Sequence, residues 1–222
     1  MAHHASVPTP DLVDDDRLRI YYAPRDERGK ARIAFIDVDP ADPTTVLYVH
    51  DRPVLDLGQQ PQVSLSSWRL DVFGFVEKRL SLDWTAFQAI EQSTRISDIH
   101  CVTTWSRYDN RWEGVATRDL LDLAMPTAEA HHVLLTSYDG YTTNLPLSDF
   151  AAEDAILATT WEGQPLTREH GGPKRLVVPH LYFWKSAKWL SRLQVIGRGR
   201  AGVWGENGCP MYGGPRRGQR FF

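Results

Sequence analysis

Two separate stretches of the chain contain the residues that are best suited to chemistry. The first is 98–106, where β-branched residues indicate a strand that ends near Cys101 and leads into a polar, aromatic run. A thiol that leaves a rigid strand can be directed at a partner. The residue type allows three roles, which are a nucleophile, a ligand of a soft metal, and an inert core residue.

The second stretch, 170–189, combines glycine with cations. Gly171 and Gly172 allow the backbone to turn sharply and to approach a ligand closely, and Pro173 follows them. The basic side chains of this stretch are His170, Lys174, Arg175, Lys185 and Lys188. The combination suits a phosphate-bearing cofactor, to which Ser186 and nearby backbone amides could also bind. The alternative is a surface strand with ordinary solvated lysines.

The composition narrows the class of protein. The 222 residues have a formal net charge of -3, which gives no general attraction to nucleic acid or to an anionic membrane. The two cysteines, Cys101 and Cys209, are too few for a disulfide framework. Neither a transmembrane stretch nor a secretory signal is recognisable. We therefore expect a cytoplasmic protein with a partly flexible N-terminal arm at 1–30 and one domain at 31–222.

Hydrophobic periodicity predicts more strands than helices. Strands are predicted at 32–38, 46–49, 68–76, 79–82, 132–137, 155–161, 176–178 and 190–196, besides the one that precedes Cys101, and helices at 84–92 and 117–124. Asp83 and Thr117 are expected to cap the two helices, and 105–112 is expected to be a loop. Because strands and helices do not alternate regularly, the predicted fold class is α+β and sheet-dominated rather than a doubly wound parallel sheet.

Common nucleotide and hydrolase motifs do not explain the chain. Residues 197–202 match G-x-G-x-x-G, but a dinucleotide site needs a helix that begins there, and glycines and a proline follow instead. We interpret this segment as a glycine-rich loop. The sequence contains no P-loop, H-E-x-x-H helix or G-x-S-x-G elbow.

Three segments, taken in order, resemble a known family. They are 100–106 around Cys101, 139–147, and the 170–189 stretch. Together they resemble the molybdopterin-binding domain of the sulfite oxidase family, and most closely its cofactor-only bacterial branch, which is related to the methionine sulfoxide reductase catalytic subunit. The resemblance implies a mixed, sheet-dominated molybdopterin-binding fold.

The resemblance also implies a cofactor and the residues around it. Molybdenum is expected to be bound by the dithiolene of one molybdopterin and by the Cys101 thiolate, as its metal ligand at the catalytic centre. The residues expected to bind the cofactor are His50, Asp51, Arg52, Thr136, His170, Arg175, Lys185, Ser186, Ala187 and Lys188. Arg107, Tyr138 and Asp139 are candidates for the catalytic pocket, with Trp105 beside them, and a structural role is the alternative for each.

The expected function is two-electron oxygen-atom transfer on a small substrate, with sulfur compounds among the candidates. The reaction would be either sulfite oxidase-like or sulfoxide or N-oxide reductase-like. Residues 50–52 replace an arginine-asparagine-histidine run of sulfite-oxidising members, and the tail at 205–215 also departs from the family pattern, so sulfite itself is in doubt. The alternative is a non-catalytic descendant that acts as a binding module. The expected partners are a small substrate and a separate redox partner, without nucleic acid or membrane insertion, and the expected state is a monomer.

Overall fold

In a computed structural model, the chain folds as two compact units, residues 1–60 and 61–222. The structure describes residues 4–25, 30–49, 55–102, 106–203, 212–215 and 219. The boundary expected from the sequence near residue 30 differs from this division, because the predicted arm contains two strands. No helix in the described part of the chain is long and apolar enough to cross a membrane.

The first unit is an antiparallel sheet. Its strands are β1 (His4–Asp14), β2 (Arg17–Arg25), β3 (Lys30–Val38), β4 (Val46–Val49) and β5 (Leu55–Gln59). The strand order is β1-β2-β3-β4, and β5 also pairs with β3. Arg19 and Asp37 face each other across β2 and β3, and the guanidinium donates two hydrogen bonds to the carboxylate at 2.7 and 3.0 Å. This charge-assisted pair joins β2 to β3, within the segment for which the sequence predicted an arm.

The second unit contains ten strands and three short helices in the described residues. In chain order they are β6 (Arg69–Gly74), β7 (Leu80–Asp83), α1 (Trp84–Gln88), β8 (Gln92–His100), β9 (Ser106–Ala116), α2 (Thr117–Ala124), β10 (His132–Ser137), β11 (Thr142–Pro146), α3 (Leu147–Phe150), β12 (Ile156–Trp161), β13 (Gln164–Pro165), β14 (Arg175–Val177) and β15 (Leu190–Ile196). A 3₁₀ turn at Phe183–Lys185 lies between the last two strands.

Two sheets organise this unit. One has the order β11-β10-β15-β6-β7 and is mixed, since β15 and β6 run parallel while the other neighbours are antiparallel. The other has the order β13-β12-β9-β8, with β14 also paired to β12. The predicted α+β, sheet-dominated fold class is therefore confirmed.

Most predicted elements are present, and three details were wrong. The helix predicted at 84–92 is shorter, since α1 covers Trp84–Gln88 and Gln92 already belongs to β8. The expected loop at 105–112 is mainly strand, because β9 pairs with β8 along almost its whole length. The expected Thr117 cap is absent: Ala116 occupies the cap position, and the Thr117 hydroxyl donates instead to the Phe150 carbonyl and, at 3.2 Å, to that of Ala155. The Asp83 cap is confirmed, since its carboxylate accepts from the Ala86 N–H at 2.8 Å.

Two apolar clusters support the second unit. The larger joins the mixed sheet to the helices through side chains such as Trp68, Phe87, Leu120, Leu135 and Leu193. The smaller lies on the β8-β9-β12-β14 side and includes Ile99, Trp112, Ile156, Leu166 and Val177. Burial of these side chains is the main stabilising contribution, and it makes both sheets rigid supports for the loops at their ends.

Candidate active site

Cys101 follows the last residue of β8 and is only partly buried. The preceding residue, His100, pairs with Ser106 across the β8–β9 hairpin, and its Nδ1 lies 2.7 Å from the Ser106 hydroxyl. His100 also forms a parallel bridge with Tyr182. The bridge brings the Cys101 stretch against the 170–189 stretch, so the two chemically distinctive parts of the sequence meet in the fold.

Arg175 is the central cation of the second stretch. Its guanidinium donates to the carbonyls of His170 and Ser186, each at 3.0 Å, and to that of Leu176 at 3.4 Å. The side chain is buried, and no carboxylate within the described residues pairs with it. Burial lowers the pKa of Arg175 to about 9. A buried cation whose hydrogen bonds go to carbonyls and not to a carboxylate is suited to an anionic ligand.

The backbone at Gly171 lies tightly against two basic side chains. Gly171 has a φ of +99°, and a Cβ at this position would lie 2.9 Å from Cβ and Cγ of Lys188 and 3.1 Å from Cβ of Arg175. Lys188 in turn donates to the Glu169 carbonyl at 2.8 Å. Glycine is required here both by the left-handed backbone and by the contact. We call the group of His170, Gly171, Arg175, Ser186 and Lys188 the basic cradle.

An aromatic wall borders the basic cradle. The Trp161 ring lies 5.0 Å from the His170 ring and 5.8 Å from the Trp112 ring, between centroids. Trp112 also contacts Phe183 at 6.4 Å, and the Arg175 guanidinium lies over Phe183 at 4.1 Å. The sequence patterns did not assign these three aromatic residues to the site, although aromatic side chains make up 11% of the chain.

The predicted pocket residue Arg107 lies at the outer end of this wall. Its guanidinium covers the Trp161 ring at 4.3 Å, and Nη2 lies 3.4 Å from a carboxylate oxygen of Glu162. The Arg107 side chain is 46% exposed, so solvent and solutes can reach it. The structure thus brings Arg107, Trp161 and His170 together in one continuous row.

The remaining predicted cofactor residues of the second stretch differ in their surroundings. The Ser186 hydroxyl accepts from the Val178 N–H at 3.0 Å, and the Ala187 carbonyl accepts from the Leu176 N–H at 2.8 Å, so both hold the cradle in shape. Lys185 is buried, and its ammonium donates to the backbone and side-chain oxygens of Asn144 at 2.8 and 3.0 Å. These contacts direct the Lys185 ammonium into the mixed sheet.

Tyr138 and Asp139 form a turn close to Lys188. The Tyr138 hydroxyl donates to the Arg69 carbonyl at 2.9 Å and accepts from the Arg69 N–H at 2.6 Å. Tyr138 is thereby bound to the backbone of β6. Burial raises the pKa of Asp139, while Lys188 and the Tyr141 N–H oppose that shift. Asp139 therefore interacts electrostatically with Lys188 of the basic cradle. Its catalytic role stays a prediction.

Thr136 and several other predicted residues are not joined to the cradle by the described contacts. Thr136 lies in β10 with its side chain half-buried, and its carbonyl accepts from the Ser191 hydroxyl at 2.9 Å. Its role stays a prediction. Outside the described residues lie His50, Asp51, Arg52, Trp105 and Cys209.

Two features of this site fit an anionic cofactor with hydrogen-bond acceptors. One is the buried, carboxylate-free Arg175 guanidinium described above. The other is Trp112, which is 2% exposed and whose Nε1–H finds no acceptor within the described residues. A buried donor without a partner is costly, and an acceptor on a bound group would satisfy it. Together with the Cys101 thiol, these donors suit a metal-dithiolene cofactor that carries a phosphate.

Comparison with known proteins agrees with this interpretation. Residues 57–204 match the family described as "Oxidoreductase molybdopterin binding domain". The chain is 46% identical over 170 residues to the uncharacterized oxidoreductase YuiH of Bacillus subtilis, which covers 76% of this chain and 86% of that protein. It is 30% identical over 170 residues to the protein-methionine-sulfoxide reductase catalytic subunit MsrP of Campylobacter jejuni, covering 66% of this chain and 55% of that one.

A solved structure supports the fold. The sulfane dehydrogenase SoxCD from Paracoccus pantotrophus matches with a TM-score of 0.60 at 22% sequence identity, covering 68% of this chain and 42% of that one. This likeness concerns the fold alone. The chain spans about half the length of the sulfoxide reductase subunits that it matches, at 55% and 52%.

The predicted resemblance, and with it the molybdopterin cofactor and the oxidoreductase class of enzyme, is confirmed at the level of the family. The matched segment runs through Cys101, the aromatic wall and the whole basic cradle. The chain belongs to the oxidoreductase molybdopterin-binding domain family.

Proposed function

We propose that this enzyme removes the oxygen atom from a small, neutral sulfoxide or N-oxide. The balanced reaction takes two electrons and two protons and releases the sulfide or amine and one water. The electrons come from a separate reduced redox protein. The observation that carries the proposed direction is the pairing of Arg107 with Glu162 beside the aromatic wall.

The charge around Arg107, Trp161 and His170 favours a neutral substrate over an anionic one such as sulfite. Sulfite is an anion, and binding it in a partly desolvated site requires unpaired positive charge. The Arg107 guanidinium is partly neutralised by the Glu162 carboxylate at 3.4 Å and stacks on Trp161. A polarised S–O or N–O bond needs a hydrogen-bond donor rather than a net charge, and an apolar ring suits the rest of such a molecule.

The chain's own residues have distinct roles in this proposal. Molybdenum bound to molybdopterin supplies the two-electron oxygen-atom transfer. The Cys101 thiolate would bind the metal, and Arg175 with Lys188 would bind the negative charge of the pterin and its phosphate. The Trp112 Nε1–H, which has no acceptor within the described residues, would be satisfied by an acceptor atom of the bound cofactor. Arg107 orients the substrate oxygen by hydrogen bonding and therefore acts on KM more than on protein stability.

The relatives support the substrate class. The Campylobacter jejuni protein is by its name a protein-methionine-sulfoxide reductase catalytic subunit, and it is 30% identical to this chain. Methionine sulfoxide is a neutral group with a sulfur–oxygen bond, which is the kind of substrate proposed here.

The first test is molybdenum content. Protein purified from a host that makes molybdopterin should contain close to one molybdenum atom and one pterin per chain. Cys101→Ser should fold with an unchanged melting temperature of the metal-free form and should lose the metal, because serine is a poor ligand for a soft centre. A matched control is Ser106→Ala on the other side of the hairpin, which should keep the metal. Well-folded wild-type protein without molybdenum or pterin would contradict the assignment.

The second test is the direction of the reaction. Oxidation of reduced benzyl viologen should accelerate with dimethyl sulfoxide, methionine sulfoxide or trimethylamine N-oxide. Reduction of ferricyanide by sulfite should be slower by at least an order of magnitude in kcat/KM, roughly 1.4 kcal/mol in transition-state stabilisation. Faster sulfite oxidation would reverse the proposed direction, and molybdenum-loaded protein inactive in both assays would favour the non-catalytic binding module.

We propose further that the enzyme is a cytoplasmic monomer that meets its electron donor only transiently. The net charge of -3 gives no general attraction to an anionic membrane, and two cysteines are too few for a disulfide framework; both facts support this proposal. Sedimentation of the molybdenum-loaded protein and fractionation of the source cells test the two statements. A stable dimer or recovery outside the cytoplasm would contradict them.

A further inference from the structure

A groove of about 600 Å³ lies in the second unit between β7, α1 and α2. Its floor is formed by apolar side chains, among them Leu80, Leu82, Ile90 and Leu123. The first three also pack against the larger apolar cluster, so the floor is rigid. Leu123 is 41% exposed, although it lies in a helix whose other apolar residues are buried. The groove therefore exposes apolar surface on a well-packed support.

The rim of this groove is acidic. It carries the carboxylates of Glu91, Asp119 and Asp122, against the single cation of Lys78. None of the three carboxylates makes a side-chain hydrogen bond or ion pair with a described residue. Asp119 lies in the first turn of α2, where the helix dipole favours an acid, but Glu91 and Asp122 have no such explanation. The groove thus combines apolar surface with uncompensated negative charge.

The edge of a sheet also borders the groove. β7 is the terminal strand of the mixed sheet, and within the described residues its sheet neighbour is β6. Leu80 and Leu82 of β7 line the groove. A terminal strand leaves backbone donors and acceptors available to an extended partner. The groove therefore offers apolar, ionic and backbone contacts side by side.

We infer that this groove binds a segment of a partner protein in which apolar side chains are flanked by lysine or arginine. Charge complementarity selects this occupant: an acidic or neutral segment would leave the three carboxylates uncompensated or repelled. The lining residues are separate from Cys101, the aromatic wall and the basic cradle, so the inference does not depend on the proposed substrate or direction.

Selection from a phage-displayed library of random peptides of about twelve residues, on the full molybdenum-loaded chain, tests the inference. The enriched peptides should combine apolar residues with lysine or arginine. One of them, synthesised with a fluorophore, should bind about tenfold more weakly to the variant Glu91→Gln, Asp119→Asn, Asp122→Asn. Leu123→Ser should weaken binding comparably, and added salt should weaken the wild-type complex.

Controls keep the result interpretable. Glu153→Gln removes one exposed carboxylate outside the groove and should change the affinity less than twofold. If the triple variant unfolds, the double variant Glu91→Gln, Asp122→Asn keeps Asp119 in the first turn of α2 and should still weaken binding. Enrichment of peptides without basic residues, equal binding to the groove variants, or no enrichment would each overturn the inference.

Discussion

The ammonium of Lys174 lies 4.4 Å from the centroid of the Trp68 ring and 4.7 Å from that of Phe87. Lys174 is fully buried, and its Nζ has no hydrogen-bond partner among the described residues. Cation–π contacts contribute about 2 kcal/mol when desolvated, whereas the effective cost of burying an unpaired ion is several kcal/mol. Desolvation therefore dominates and lowers the pKa of Lys174 well below its usual value.

Replacing this amine by an apolar side chain should stabilise the protein. Lys174→Met should raise the free energy of unfolding at neutral pH by roughly 1 to 2 kcal/mol, because the wild type must keep the group neutral against its tendency to ionise. Urea unfolding at pH 7 measures the difference. Lys78→Met, at an exposed lysine, should change stability by less than about 0.5 kcal/mol. A destabilised Lys174→Met protein would indicate that the amine has an unseen partner.

The stability of the wild type should also depend on pH, in a direction set by the lowered pKa of Lys174. Between the lowered pKa of native Lys174 and the pKa of an unfolded lysine, near 10.4, the unfolded chain binds a proton that the native chain lacks. The stability of the wild type should therefore rise as the pH increases toward that value, and Lys174→Met should lack this rise. Unfolding midpoints between neutral and alkaline pH, compared for the two proteins, provide the measurement.

His180 should show the opposite pH dependence. Its Nε2 lies 3.1 Å from Asp149, its Nδ1 lies 3.8 Å from Asp154, and the two carboxylates raise the pKa of His180 to about 9 from its ordinary value of 6.5. This contribution to stability is fully present below pH 6.5 and is lost as the pH rises through 9. Because the side chain is about one third exposed, solvent screening limits the contribution to about 1 kcal/mol.

Titration of the imidazole by NMR measures this effect directly. Asp149→Asn should move the pKa of His180 toward its ordinary value, because the hydrogen bond to Asp149 is the largest cause of the shift. An unchanged His180 titration in Asp149→Asn would show that Asp154 alone controls it.

Gly171→Ala should damage the basic cradle. The added methyl would lie 2.9 Å from Lys188 and 3.1 Å from Arg175, in a backbone with φ of +99°. We expect a loss of roughly 1 to 3 kcal/mol in stability and a lower content of bound pterin. Gly140→Ala is the matched control, because Gly140 also has a positive φ, +86°, and nothing lies within 4 Å of the added methyl. It should lose stability while retaining the pterin. Equal pterin content in the two variants would contradict the contact.

Glu162→Gln should increase the affinity of the pocket for anions. Removing the carboxylate leaves the Arg107 guanidinium unpaired beside Trp161. Inhibition of the dye-linked reaction by sulfate should then become roughly two- to fivefold stronger, as expected for one exposed ion pair. Glu113→Gln breaks a comparable pair on β9, with Arg111 at 2.9 Å, and should leave sulfate inhibition unchanged. No difference between the variants would place Arg107 outside the substrate pocket.

Local patterns were sufficient to predict much of this protein. Period-two alternation identified β6, and the Asp83 cap and the strand before Cys101 follow from residue types alone. These features depend on interactions within a few residues or on one buried face, which a sequence displays directly. The ordered segments around Cys101 and at 170–189 also identified the family and its cofactor.

The tertiary structure decided which side chains share a site. The row of Arg107, Trp161 and His170 joins residues from β9, the end of β12 and the turn before β14, and only the pairing of these strands brings them together. The same packing pairs the Lys185 ammonium with Asn144 and the Tyr138 hydroxyl with the backbone of Arg69, which their residue types did not predict. A residue type limits the bonds that a side chain can make, whereas the partner depends on contacts between distant segments, which no local pattern encodes.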